Sequence, residues 1–125
     1  MATVLTTVGK NWIVDVLDGL AVTADYIHWG TGAGTSAVGD VDLFTPATEA
    51  RVLATRSQPS ADTVRWVGTL TADGAKTITN AGVWDAAGTG SPPSGGTPLI
   101  VKGDFTGIAL AINDQIQFTI NLQIT

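Results

Sequence analysis

The most regular pattern of apolar and polar residues lies at the C-terminal end of the chain, from Asn113 to Thr125. Apolar residues alternate strictly with polar ones there, which is the two-residue period of a β-strand with one buried face. The apolar positions are Ile116, Phe118, Ile120, Leu122 and Ile124. The polar positions carry amides or a hydroxyl and no charge: Gln115, Gln117, Thr119, Asn121 and Gln123. Such a face either pairs with a second subunit or is an ordinary solvated surface, and both interpretations stay open.

Five earlier segments are rich in β-branched and aromatic residues and are bounded by turn residues, which predicts strands. These segments are Tyr26–Trp29, Glu49–Ser57, Val64–Leu70, Lys76–Trp84 and Pro98–Phe105. In the third segment, the residues predicted to share one face are Val64, Trp66, Gly68 and Leu70. The pair Asp73–Gly74 predicts a turn before the fourth strand, and the sequence Asn-Ala-Gly at 80–82 predicts a bulge within it.

One short helix is predicted near the N-terminus, over residues 9–20. Apolar residues recur there at helical spacing, at Trp12, Ile13, Val16, Leu17 and Leu20. Thr6 or Thr7 is the expected N-cap, and Gly19 marks the expected end. Residues 1–8 then form a candidate N-terminal arm, which could pair with the edge of a partner's sheet.

These elements predict a mainly β fold in a single domain that spans residues 1–125, with the β part at 26–125. We expect an antiparallel β-sandwich or a small β-barrel with one short N-terminal helix packed on it or beside it. Two long segments between the strands lack strand patterning, Gly30–Val38 and Ala86–Pro98. The second is rich in Gly, Pro and Ser, and we expect it to be a mobile surface loop.

Composition and charge narrow the classes of function. The chain of 125 residues has six Lys and Arg against eleven Asp and Glu, so it carries a net charge of −5 with scattered basic residues, which argues against a nucleic-acid partner. It has no cysteine and no apolar run of the roughly 18 residues that a membrane span needs, and its N-terminus shows no secretory signal. Charged residues make up only 14% of the chain, and a surface with so little charge favours self-association.

No set of residues predicts catalysis, a cofactor or a metal. The glycine-rich segment 29–34 is not followed by a helical pattern or by the Lys-Ser/Thr pair that a phosphate loop requires. His28 is the only histidine and is expected to be packed in the core or at an interface. Most Asp residues lie at predicted turns, where Asp normally caps its own backbone. The sequence therefore predicts a protein that is not an enzyme, and it leaves open a carbohydrate-binding module with Trp29, Trp66 or Trp84 as stacking platforms.

Three blocks of the sequence resemble small β-rich virion proteins of tailed bacteriophages. The blocks are YIHWGTGAGTSAVGDVDLFTPATEARV, LTADGAKTITNAGVWDAA and LIVKGDFTGIALAINDQIQFTINLQIT, which together cover most of the chain from Tyr26 to Thr125. The resemblance implies a structural protein of the virion that is assembled in the host cytoplasm. It implies either a head decoration (capsid cement) protein or a component related to tail fibres.

The resemblance also implies partners. A decoration protein would bind the major capsid protein as a homotrimer, whereas a component of the tail would bind other tail proteins. The residues expected at protein contacts lie in the helix or in predicted β segments. Their side chains are large, can form two hydrogen bonds with one partner group, or are polar without a charge: Trp12, Trp29, Glu49, Arg51, Arg56, Trp84, Gln117 and Asn121.

Overall fold

A computed structural model of the chain describes residues 3–17, 25–95 and 98–125. In chain order, the elements are β1 (Thr3–Leu5), α1 (Thr7–Leu17), β2 (Tyr26–Gly30), β3 (Val52–Leu53), β4 (Thr55–Ser60), β5 (Thr63–Thr71), β6 (Lys76–Trp84), β7 (Leu99–Leu110) and β8 (Gln115–Gln123). The strands form a five-stranded sheet in the order β1-β7-β6-β2-β3 and a three-stranded sheet in the order β4-β5-β8, with every pair antiparallel. The fold is therefore the predicted mainly β sandwich with one short N-terminal helix.

The main core lies between the two sheets. Ile27, Trp29, Trp66 and Leu70 are at most 1% exposed, and they pack against the apolar face of β8. The ring of Phe118 in β8 meets Trp29 edge-on, with the ring centroids 6.3 Å apart. Both predicted alternations are confirmed, since Val64, Trp66 and Leu70 of β5 face inward, as do the apolar residues of β8 from Ile116 to Leu122. The prediction that Ile124 faces the core was wrong, because β8 ends at Gln123 and the Ile124 side chain is 55% exposed.

Helix α1 begins two residues before the predicted start. The Thr6 hydroxyl accepts a hydrogen bond from the Gly9 N–H at 2.9 Å and donates to the Leu99 carbonyl at 2.5 Å, so Thr6 is the N-cap and also fixes the helix to β7. Gly9 lies against the main chain of Ile100, where a β-carbon would clash. The predicted end of the helix, with Leu20, lies outside the described residues.

Residues 3–5 do not form the predicted N-terminal arm. Thr3, Val4 and Leu5 pair with Gly103, Lys102 and Val101 of the same chain, so they are strand β1 at the edge of the larger sheet. Their main chain is already satisfied on that side by β7. This part of the predicted arm is therefore an edge strand of its own sheet and not a free arm.

The predicted strand Glu49–Ser57 is two strands in two different sheets. Val52 pairs with β2 in the larger sheet, whereas Arg56 pairs with β5 in the smaller one. Ala54 lies between the two strands, where the chain passes from one sheet to the other, and it is 7% exposed. The residues Glu49 and Arg51 precede both strands, so the predicted boundary was wrong by about three residues.

The outer face of the five-stranded sheet is covered by the segment 31–50, which includes the predicted loop Gly30–Val38 except for Gly30, the last residue of β2. Asn80 donates to the Phe44 carbonyl at 3.1 Å and accepts from the Phe44 N–H at 3.0 Å. The Lys102 ammonium donates to the Asp40 carboxylate and to the Asp42 carbonyl, both at 2.9 Å, and its side chain is 0% exposed. Buried polar groups require partners, so these two strand residues hold the segment on the sheet. The bulge predicted at 80–82 was wrong, because Asn80, Ala81 and Gly82 pair with β7 in unbroken register. The register shift lies just before them, between Ile78 and Asn80, and its extra residues are on β7.

Candidate interaction surface

The outer face of the three-stranded sheet is exposed. On β8 the exposed side chains are Gln115, Gln117, Thr119, Asn121 and Gln123, and on β5 they are Thr69 and Thr71. All seven carry an amide or a hydroxyl and none carries a charge. We call this set the open surface. It contrasts with the outer face of the larger sheet, which the segment 31–50 covers.

Hydrogen bonds fix the two ends of the open surface. Gln115 donates to the Thr71 hydroxyl at 3.1 Å, and the Gln123 amide donates to the Asp62 carboxylate at 2.9 Å. The hydrogen bond from Gln123, with those from Ser60 and Thr63, lowers the pKa of Asp62. These contacts hold the side chains in place across the strands, so the surface is ordered at both ends.

The centre of the open surface has unused hydrogen-bonding groups. Within the described part of the chain, the side chains of Gln117 and Thr119 make no hydrogen bond, while Asn121 accepts one from Arg65 at 2.9 Å. A glutamine amide supplies two donors and an acceptor, and a threonine hydroxyl supplies one donor and accepts as well. The surface can therefore bind the main chain or the amides of another protein, and the Arg65 guanidinium beside Asn121 adds one positive charge on the same face.

Four of the predicted contact residues have exposed or partly exposed side chains. Gln117 and Asn121 lie on the open surface. Trp12 and Arg56 lie at the end of the sandwich, where they line a groove of about 720 Å³ between α1 and the ends of β4, β5 and β8. The Arg56 side chain is 41% exposed and forms an ion pair with Asp25 at 3.2 Å.

Trp12 is held in this groove by Asp85. Its indole N–H donates to the Asp85 carboxylate at 3.2 Å. Burial raises the pKa of Asp85, with a smaller effect in the opposite direction from this hydrogen bond. The indole ring is partly buried, and its apolar surface forms one wall of the groove.

The other four predicted contact residues are inside the chain, which corrects their assignment. Trp29 is 0% exposed, Trp84 is 3% exposed and Arg51 is 5% exposed. Glu49 is 8% exposed at its side chain, and its carboxylate accepts from the Trp29 indole N–H at 2.9 Å and from the Lys76 ammonium. Residue type suggested an interface, but each of these side chains is packed within the fold, although the Arg51 Nε and the Trp84 indole N–H have no hydrogen-bond partner among the described residues.

Arg51 also anchors the predicted mobile loop. Its guanidinium lies 3.7 Å from the centroid of the Trp84 ring and donates to the carbonyls of Ala86 and Gly95 at 2.9 and 2.7 Å. Thr89 and Ser94 exchange two main-chain hydrogen bonds of 2.8 Å across the loop. The described part of this loop, 86–95, is therefore tied to the body of the protein.

His28 is a packed residue, as predicted. It is 1% exposed, and its Nε2 nitrogen donates to the Glu49 carbonyl at 2.8 Å. Burial lowers the pKa of His28 and is the largest influence on it, and the nearby Arg51 guanidinium acts in the same direction. The neutral ring is thus the form that fits this site, where it fixes the main chain just before β3.

Sequence reasoning missed the two buried polar residues of the larger sheet, Asn80 and Lys102. Lys102 follows three apolar residues in the run Leu-Ile-Val-Lys, and a lysine within such a run is a signal for a buried cation with a partner elsewhere. Over the ranges that the structure describes, no three His, Asp or Glu side chains form a group that could hold a metal ion. In those same ranges, no helix is long and apolar enough to cross a membrane.

Comparisons with known proteins add no relatives to this picture. No family model matches the chain, and no curated protein or solved structure matches it either.

Proposed function

We propose that this chain is a structural protein of a bacteriophage virion, a head decoration protein that binds the capsid lattice and stabilises it. The observation that carries the proposal is the open surface, an array of amides and hydroxyls on one face of the sandwich, beside which Arg65 is bonded to Asn121. The phage-like blocks of the sequence point to the same class of protein. No chemical reaction is part of this proposal.

A surface of amides and hydroxyls with little charge suits repeated binding on a lattice. Each copy buries a modest area, and hydrogen bonds to the amides of Gln117 and Asn121 add specificity. A capsid presents its sites at fixed spacing, so a copy that spans two neighbouring capsid subunits gains from both contacts at once. The added layer then resists the separation of those subunits.

The internal ties of the fold suit a protein that must survive outside a cell. The buried Lys102 has two oxygen partners and the buried Arg51 also has two, so both cations are stabilised without a disulfide. In addition, Glu49 joins three separate parts of the chain. These contacts do not depend on the redox state of the surroundings.

The two rival functions have less support. A tail component that recognises the host surface would use the loops 30–38 and 86–98, but the described parts of both loops are tied down by hydrogen bonds. A carbohydrate-binding module would need an exposed aromatic ring. The three tryptophans considered for that role, Trp29, Trp66 and Trp84, are at most 3% exposed, so they cannot serve as stacking platforms.

Sedimentation with virion parts tests the proposal. The purified chain is mixed separately with DNA-filled heads that lack it and with isolated tails, and the bound copies are counted. Decoration predicts hundreds of copies on each head. Binding of a few copies to tails, or to neither particle, would overturn the proposal.

A pair of variants tests whether the open surface makes the contact. Gln117→Lys places a charge at the centre of that surface, and we expect it to reduce the number of copies bound to heads. Asn11→Lys makes the same change on the exposed side of α1 and should bind like the unaltered protein. Equal binding by both variants would show that the heads contact another surface.

A further inference from the structure

Strand β8 has a long free edge. Its nine residues pair with β5 from Gln115 to Gln123 without any shift in register, and no other described strand pairs with it. Proteins usually protect such edges with charges, proline, bulges or short strands. The segment 115–123 contains no charged residue, no proline and no glycine. Its unpaired N–H and C=O groups are therefore ready to pair with another strand.

The other sheet edges in the described chain are short or interrupted. β1 has three residues and β3 has two. β4 contains Arg56 and Pro59, and its pairing shifts between Ser57 and Ser60. The part of β7 beyond β1 is broken by Gly107 and by the register shift opposite Ile78 and Asn80. These are the protective features that β8 lacks.

The core is also incompletely closed along β8. A cleft of about 200 Å³ lies between the two sheets at this edge, lined in part by Val101, Phe105, Phe118 and Ile120. The inward side chains of β8 from Ile116 to Leu122 are only half-buried, although they belong to the core. A strand added at the free edge would cover them with its own inward side chains.

The strand that fits this edge is another β8. A twofold axis aligns two copies of one strand in antiparallel fashion, and the full overlap of 115–123 places Thr119 opposite Thr119. In this register, Gln115 faces Gln123 and Gln117 faces Asn121 on the outer side, while Phe118 faces Ile120 on the inner side. A strand with charges of one sign would repel its copy, but β8 has none, so both faces are self-complementary.

We propose that β8 pairs with β8 of a second copy of this chain, antiparallel and centred on Thr119. The two smaller sheets then join into one six-stranded sheet, and the pairing uses up both free edges, so the assembly closes as a dimer. A trimer built through sheet edges would have to join β8 to one of the protected edges. This proposal does not rest on the function in the virion, and the two have separate tests.

A charge-swap experiment tests the pairing. The oligomeric mass of the full chain is measured by sedimentation equilibrium at low ionic strength for the unaltered protein, Thr119→Lys and Thr119→Glu. The unaltered protein should be a dimer. Each variant sets like charges opposite each other and should dissociate at a concentration about tenfold higher or more. An equimolar mixture of the two variants should dimerise again, because the introduced lysine of one copy would then face the introduced glutamate of the other across the axis.

Thr69→Lys is the matched control, because it adds the same charge to the same face but on β5, away from the proposed axis. It should remain a dimer. Thermal unfolding followed by circular dichroism checks that all variants fold. If either Thr119 variant fails to fold, hydrogen exchange of the unaltered chain replaces it, and the amides of β8 should become more protected as the concentration rises. A monomer, a trimer, a dimer that Thr119→Lys leaves intact, or exchange of β8 that does not depend on concentration would each overturn the proposal.

Discussion

Replacing Glu49 with glutamine tests how the fold is held together at its most connected polar side chain. The Glu49 carboxylate accepts hydrogen bonds from the indole N–H of Trp29 at 2.9 Å, from the main-chain N–H of Asp73 at 3.0 Å and from the Lys76 ammonium. These donors belong to β2, to the turn after β5 and to β6. Glutamine has nearly the same shape but only one acceptor oxygen, so at least one donor loses its partner.

The size of the effect follows from the burial of the donors. Trp29 is 0% exposed, so its indole cannot turn to water, and a buried donor without a partner costs about 1–3 kcal/mol. The Lys76 side chain is 12% exposed and keeps Asp73 as a second partner, so the loss of its charged partner at residue 49 adds only about 1 kcal/mol. We therefore expect Glu49→Gln to lower the free energy of unfolding by about 2–4 kcal/mol at neutral pH.

Urea unfolding followed by tryptophan fluorescence measures this change. The midpoint should fall while the dependence on urea concentration stays the same. Asp73→Asn is the matched control, since it removes the other carboxylate that pairs with Lys76. Asp73 is half-exposed on the solvent side, so the effect of this substitution should be much smaller. A loss below about 0.5 kcal/mol for Glu49→Gln would refute the reasoning, because that is the effect of an ordinary surface substitution.

The pH dependence gives a second check on Glu49. Burial acts to raise the pKa of Glu49, but the hydrogen bonds from Lys76, Trp29 and the Asp73 N–H together hold it below its ordinary value of 4.5. A carboxylate with a lowered pKa stabilises the fold fully above its ordinary pKa, and this stabilisation is lost as the pH falls through the lowered value. The difference between the unaltered protein and Glu49→Gln should therefore shrink below pH 4.5. A difference that is the same at neutral and at strongly acidic pH would contradict this account.

Three further predictions concern other parts of the fold. Arg51→Met removes the donors that hold the loop 86–95, so we expect a loss of about 2 kcal/mol in urea unfolding and faster proteolysis of that loop. Arg51→Lys should lose less, and identical behaviour of the two variants would contradict the anchoring role. Gly82→Ala places a β-carbon 2.6 Å from a main-chain carbonyl oxygen of β7 and should cost about 1–3 kcal/mol in thermal unfolding, whereas Gly74→Ala, with open space around it, should be neutral. Because burial lowers the pKa of His28 below 6.5, the unfolded chain takes up a proton first as the pH falls, so stability should decrease below about pH 6.5. His28→Gln should remove this part of the pH dependence, and an unchanged slope would contradict it.

The fold class was predictable because the strongest signal in the sequence is local. The two-residue alternation of β8 depends only on neighbouring side chains, and it places Phe118 and Ile120 inward and Gln117 outward as expected. The absence of charge on its polar side is also visible in the sequence. The sequence therefore predicts the surface position of Gln117 and Asn121, whereas their contact with a partner stays a prediction.

The remaining features depend on contacts between distant parts of the chain. Nothing near Ala54 in the sequence indicates that the chain passes there from one sheet to the other. Arg51 and Trp84 are types that interfaces favour, and only the tertiary structure stacks them on each other inside the chain. Likewise, the partners of Lys102 lie about 60 residues away, beyond the reach of any local pattern.

The pairing of β1 with β7 has a consequence for how the protein is made. Residues Thr3–Leu5 leave the ribosome about 100 residues before their partners at 101–103. At about 5–20 residues per second, the N-terminal strand waits roughly 5–20 seconds for β7. Meanwhile β6 and β2 can already pair, so the larger sheet grows from its centre and adds its first strand last. Because β1 pairs with residues so far along the chain, we expect folding to be slow. A nascent chain that stops before β7 has no strand with which β1 can pair.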